Sequence, residues 1–251
     1  MESLRNTLLS RLPEQELEQI FPLLDRIWLA ADTELLCVEN RPDYAYFPES
    51  SLVGVIASAD DERLCYVGYY GFEGFGSLAT VLGVPNSGHY EIVQVAGYAY
   101  QIKATDLRLA TASLVQLRRV LNCYIHVFMM QVAGTALSNG TRVEQRLARL
   151  LLMFQDRMRA STLAITHQRL SDILGVRRSG ITEAVHLLES DRLVRGQRGF
   201  IDILDRPRLG LLTAGCYGRP EAEYRRLISD VASPAPDHEA PEAGPVRRLG
   251  G

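Results

Sequence analysis

Lysine is nearly missing from this chain. Of its 27 basic residues only Lys103 is lysine, and the other 26 are arginine. Cysteine is scarce and scattered: Cys37, Cys65, Cys123 and Cys216 form no CxxC and no Cys/His cluster with metal-ligand spacing. The opening run MESLRNTLLSRLPEQELEQI lacks the apolar centre of a signal peptide. A reducing cytoplasm with free thiols is therefore the expected setting. Also missing are a nucleophile elbow, a Walker loop and an HExxH pair, so no enzyme is expected. The adjacent acids Asp60, Asp61 and Glu62 read as a charged hairpin tip. No repeat is visible along the 251 residues.

What is present is globular. Apolar residues make up 47% and charged residues 23%, which excludes wholesale disorder. The formal net charge is -3, so the chain as a whole is not a polycation. The charge is unevenly spread, however. Residues 142–208 hold thirteen arginines against eight acids, which leaves the rest of the chain at -8. Arginine forks suit phosphates and base edges, and a basic segment in an acidic chain points to nucleic acid.

The texture changes four times. Residues 1–25 read as N-terminal helices, with Leu4, Leu8, Leu9, Leu12, Leu17 and Ile20 apolar and Pro13 starting a second helix. Residues 26–106 hold short runs rich in Val, Ile and Tyr, broken by RPDY, ADDE, GFEGFG and VPNSGH. That spacing predicts an antiparallel barrel or sandwich of about eight strands. Residues 107–140 read as one long helix, charge-free over 120–141 after Arg118 and Arg119. Polar residues such as Asn122, His126 and Gln131 make a buried helix between subunits a better reading than a membrane span. Leu114, Leu121 and Phe128 recur every seven residues, with Leu117, Ile125 and Val132 beside them. Such a stripe wants a cover: a second copy of the same helix is expected, and packing on the chain's own barrel is the alternative. Residues 215–251 read as a C-terminal helix and a Pro/Ala/acid-rich disordered tail.

Residues 141–214 carry the sharpest pattern. Thr166 is placed to cap a helix from His167 to Leu174, and Gly175 supplies a tight turn. A second helix follows from about Arg177 to Ser190, burying Ile181, Val185 and Leu188. Strands near Leu193–Val194 and FIDIL flank the turn RGQRG. This is a helix-turn-helix with a β-hairpin wing. A helix fits the DNA major groove with its N-terminal residues at the base edges. The expected contacts are Thr166, His167, Gln168, Arg177, Arg178, Ser179, Thr182 and Glu183, with Arg195 and Arg198 on phosphates from the wing.

The segments VEQRLARLLL, THQRLSDILGVRRSGITEAVHLLE, RLVRGQRGFIDILDR and AGCYG resemble the DNA-binding domain of the Crp/Fnr family of bacterial transcription regulators. The similarity extends over about residues 10–228. It implies an α+β chain: a cyclic-nucleotide-binding-like β-roll (a double-stranded jelly roll), a long dimerisation helix and a C-terminal winged helix-turn-helix. It further implies a homodimer on a palindromic double-stranded DNA site, half-sites about one helical turn apart, and RNA polymerase as a further partner. Arg178 falls where the family often reads guanine; Ser179 and Glu183 depart from the cyclic-AMP-responsive pattern, so the usual half-site does not carry over. In cyclic-nucleotide-binding members a Glu and an Arg hold ribose and phosphate. Here Ser77 replaces the Glu, and TVLGVPNSGHYEIVQV has no Arg. Neither a cyclic nucleotide nor an iron–sulfur cluster is expected, the latter for want of a cysteine cluster. An effector pocket, if used, would involve Gly74, Phe75, Gly76, Ser77 and His89. The alternative function is a ligand- or partner-binding sensor whose winged helix makes protein contacts.

Overall fold

The computed structural model describes residues 4–59 and 64–229. The acidic tip at Asp60, Asp61 and Glu62 and the tail from residue 230 lie outside the described residues.

Two short helices open the chain, α1 (Thr7–Ser10) and α2 (Glu14–Ile20), followed by a 3-10 turn at Phe21–Leu23. Asn6 caps α1 by accepting from Leu8 N and Leu9 N. Its amide donates to Pro48 O and Gly74 O, both at 2.9 Å, which ties α1 to the roll. Pro13 stands at the N-cap of α2, where its missing N–H costs nothing.

Among the described residues the roll has seven strands, where about eight were expected. In order they are β1 (Asp25–Leu29), β2 (Glu34–Leu36), β3 (Tyr44–Pro48), β4 (Leu52–Ser58), β5 (Leu64–Tyr70), β6 (Tyr90–Val95) and β7 (Gly97–Lys103), with α3 (Leu78–Val81) between β5 and β6. They form two antiparallel sheets, β1-β7-β3 and β2-β6-β4-β5. Phe47, Val53, Val93, Ala99 and Ile102 fill the space between them. Cys37, just after β2, and Cys65, in β5, lie at opposite edges of the larger sheet and do not meet.

The expected single long helix is two. α4 (Ala104–Ser113) stops at Leu114, which is extended (φ -91, ψ 103), and α5 (Val115–Ser138) starts there. Side chains explain the break. The Glu16 carboxylate accepts from Gln116 N (3.0 Å) and Leu117 N (2.8 Å), capping α5 from a distant element. Arg118, which interrupts the apolar stripe, donates to Thr111 O and Ala112 O at the end of α4. Orphan donors and acceptors at the two helix ends are thereby satisfied.

The stripe itself faces inward. Leu114, Leu117, Leu121, Ile125 and Phe128 are buried in their own chain, and Val132 is half-buried against the same core. The expected dimer seam is corrected on this point: the roll and the N-terminal helices cover these residues. A seven-residue repeat marks an apolar stripe without saying what lies over it. α5 is long and apolar enough to cross a membrane by composition, yet its apolar stripe lies in this core.

The remainder is α6 (Val143–Met158), β8 (Thr162–Ala164), α7 (His167–Leu174), α8 (Arg178–Ser190), β9 (Val194–Gln197), β10 (Phe200–Ile203), α9 (Arg206–Leu212) and α10 (Arg219–Ser229). A second core gathers α6, α7, α8 and the wing, and it includes Leu52 and Tyr69 of the roll. The Tyr69 ring meets Phe154 edge-on at 5.0 Å. Polar ties follow the same joint. Gln131 accepts from Tyr69 N (2.7 Å) and donates to Tyr69 O (3.1 Å), while Arg149 donates to Gln131 O (3.1 Å) and Cys216 O (2.9 Å). Arg157 donates to Tyr69 O at 3.0 Å and pairs with Glu73 at 3.2 Å. α10 returns to the first core: Ile228 is buried there, and Tyr224 Oη donates to Glu73 O at 2.8 Å. Cys123 and His126 of α5 lie on this side, with His126 3.5 Å from Glu223.

Candidate nucleic-acid interface

The turn between α7 and α8 is built by local chemistry. Thr166 Oγ1 accepts from Arg169 N at 3.2 Å, as its N-cap place requires. Gly175 takes the left-handed conformation (φ 61) that ends α7. Ser171 closes the turn twice: its carbonyl accepts from Val176 N and its hydroxyl donates to Val176 O. α8 then buries Ile181, Ala184, Val185 and Leu188.

Its outer face is what remains. Arg177, Arg178, Ser179 and Glu183 are exposed. Arg177 is the N-cap but makes no side-chain cap bond, so its guanidinium stays available. Among the described residues neither Arg177 nor Arg178 has an ion-pair partner. Thr182 differs: its hydroxyl donates to Arg178 O (3.1 Å) and lies 3.2 Å from His167 Nδ1. Thr182 and His167 therefore brace the two helices against each other. Gln168 is exposed and donates to Asp172.

The wing is a three-stranded sheet, β8-β10-β9, with Gly199 (φ 82) in its turn. Arg195 and Arg198 project from it, exposed and unpaired among the described residues. Gly196 N donates to Glu189 Oε1 at 2.7 Å, which pins the wing to α8. Sequence reasoning missed this brace. It also missed β8, too short for a periodicity signal, and the Arg169–Asp32 bridge (2.7 Å) from α7 to the roll.

Residues 145–212 match the family model of the Crp-like helix-turn-helix domain. This module is a Crp-like helix-turn-helix domain. Solved structures extend the likeness to about three quarters of the chain. FixK2 from Bradyrhizobium japonicum superposes with a TM-score of 0.65 at 18% identity, over 75% of this chain and 96% of that one. The c-di-GMP-responsive regulator CLP of Xanthomonas campestris gives 0.61 at 15% identity, over 76% and 99%. A Crp/Fnr-family transcriptional regulator from Thermus thermophilus gives 0.60 at 16% identity, over 77% and 100%. No curated protein matches the chain by sequence. The chain thus has the fold of the Crp/Fnr transcription regulators, with a Crp-like helix-turn-helix domain over residues 145–212.

The roll holds a cavity of about 560 Å³ between β4–β6, α3 and α5. Of the five residues expected there, Phe75 and His89 line it, the latter exposed at its mouth. Gly74, Gly76 and Ser77 are buried behind the wall instead. The two glycines are needed for room and not for positive φ. A Cβ on Gly74 would sit 2.1 Å from Tyr124 Oη, and one on Gly76 the same distance from Tyr70 Oη. The left-handed residue is Ser77 (φ 59), whose hydroxyl donates to Tyr44 O at 2.8 Å. Its N–H donates to Glu91 Oε1 at 2.7 Å, and Tyr70 Oη donates to Glu91 Oε2 at the same distance. Burial lifts the Glu91 carboxyl above its ordinary range, against the pull of these two donors. Nothing in the sequence pattern marked Glu91.

Proposed function

We propose that this chain regulates transcription as a homodimer bound to double-stranded DNA in the bacterial cytoplasm. One α8 helix would enter the major groove of each half-site. What carries the reading is the free arginine pair, Arg177 and Arg178, at the start of an otherwise packed helix. Arg178 would read guanine through its fork; Glu183, further along the same helix, would accept from a cytosine amino group. Arg195 and Arg198 would neutralise phosphates beside the groove.

The dimer would form along the face of α5 that its own chain leaves open. Val115, Arg118, Asn122, His126, Met129, Ala133 and Leu137 are exposed at spacings of three and four. Met129 (64%) and Leu137 (69%) stand out as apolar side chains in solvent. Two such stripes side by side would cover them. The trigger is assigned to the roll cavity, because Ile125, Met129, Val132 and Ala133 line it from the same helix that carries the open stripe. A cyclic nucleotide is not that trigger, for the reasons of Ser77 and the missing arginine.

Selection of duplexes from a randomised pool by the full chain tests the proposal. The expected product is a two-fold symmetric site with half-site centres about one helical turn apart. Recovery of no preferred sequence would refute groove reading and favour protein contacts by the winged helix.

A further inference from the structure

We infer that the roll cavity is a receptor for a neutral, largely apolar small molecule, and that Glu91 sets this preference by excluding anions. This rests on the assignment of the cavity as the trigger site. The volume lies within the roughly 300–1,000 Å³ range of small-molecule sites. Its walls are mostly hydrocarbon, from Leu78, Leu82, Ile125, Phe128, Met129 and Val132. Glu91 also lines it, and is only 4% exposed.

The hydrogen bonds of that carboxyl fit its ionised form. Both partners, Ser77 N–H and Tyr70 O–H, donate to it, one to each oxygen. An ionised carboxylate only accepts, so this partner set matches the charged form. The donors that could greet an incoming anion at the turn are therefore already spent on a resident one. A second anion would stand beside a like charge in a poorly hydrated wall, where repulsion is strong. A neutral molecule meets no such barrier and covers apolar surface that is otherwise wet. Its contacts on Ile125, Met129 and Val132 would reach the helix that carries the dimer stripe.

A matched pair of fluorescent probes tests this on the full chain without DNA. N-phenylnaphthylamine and anilinonaphthalene sulfonate share nearly one apolar body and differ by the sulfonate. The parent chain should bind the neutral probe at least about tenfold more tightly, with cyclic AMP failing to compete, the like-charge barrier being the discriminating element. Glu91→Gln keeps an acceptor for Ser77 N–H and should narrow the ratio several-fold. Ala79→Trp, on the half-exposed α3 wall, should abolish neutral binding by filling the cavity. The inference is overturned if the sulfonate or cyclic AMP binds the parent as well as the neutral probe. It is equally overturned if neither probe binds, if Glu91→Gln leaves the ratio unchanged, or if Ala79→Trp leaves neutral binding intact. No duplex enters the assay, so its failure is separable from a failure of DNA binding.

Discussion

Replacing Arg157 by Met tests how the helix-turn-helix domain is fastened to the roll. Arg157 is 7% exposed, and its guanidinium serves three partners: Tyr69 O (3.0 Å), Met153 O (3.0 Å) and the Glu73 carboxylate (3.2 Å). Met keeps most of the side-chain length and removes the charge. Glu73 would keep its backbone donors, Gly71 N at 3.0 Å and its own N–H, and be left with no counter-charge beside it. Breaking a buried pair in this way costs about 3–5 kcal/mol. For a chain of this size that lowers the melting temperature by roughly 6–20 °C, at about 2–4 °C per kcal/mol. The pH dependence identifies the cause. Burial already lifts the Glu73 carboxyl above its ordinary value, with Arg157 pulling it down. Without Arg157 the folded-state pKa rises further, so the folded chain holds the proton more tightly than the unfolded chain. Ionisation then costs stability, increasingly as pH climbs from the unfolded value through the folded one. The Arg157→Met deficit should be largest at neutral pH and shrink on acidification. In the double variant with Glu73→Gln the two costs should fall short of their sum by about 0.5–3 kcal/mol. Urea denaturation across pH reads all of this. A deficit under about 1 kcal/mol, or one that does not vary with pH, would refute the reasoning.

Arg178→Ala should weaken binding to the selected operator by about 1–3 kcal/mol, read by fluorescence anisotropy, and relax the choice at one base position. Arg198→Ala should instead weaken all duplexes alike and lower the salt slope by about one for each phosphate no longer neutralised. Met129→Asp should yield folded monomers in analytical ultracentrifugation, whereas Leu121→Ala should cost the protomer itself about 2–5 kcal/mol. Ile228→Ala should destabilise the chain by a similar amount of about 2–5 kcal/mol in thermal unfolding, as a buried core residue would. Glu91→Gln should grow more stable relative to its parent as pH rises from about 4 to about 7. The folded-state pKa of Glu91 is raised, so its ionisation costs folding stability over that rise.

The helix-turn-helix domain was legible because its signals are local. An N-cap threonine, a C-cap glycine and apolar residues three and four apart each act within one or two helical turns, and the boundaries of α7 and α8 came out within a residue. The α4–α5 break was not legible, since the Glu16 carboxylate that caps α5 lies about a hundred residues upstream. Likewise the apolar repeat of α5 was visible but its cover was not: periodicity names a face, and only the fold decides whether roll or partner lies over it. The glycines of the roll turn read as turn and pocket residues, and the need for room at Gly74 was hidden because the Tyr124 phenol that crowds it lies fifty residues along the chain. Glu91 escaped for the same cause, as its donors sit fourteen and twenty-one residues away. Residues 215–251 read as a C-terminal helix and a tail without saying what the helix packs on, and its Ile228 is buried in the roll core.

The central claim is that two copies of this chain present free arginines to one duplex. Titrating operator affinity of the full chain against salt, with the stoichiometry fixed by ultracentrifugation, tests it most directly. The wing arginines of a dimer alone imply a log–log slope of about -3.6, at about 0.9 per phosphate neutralised. A slope at least that steep with two chains per duplex agrees with the account. A flat salt response, or one chain per duplex, contradicts it.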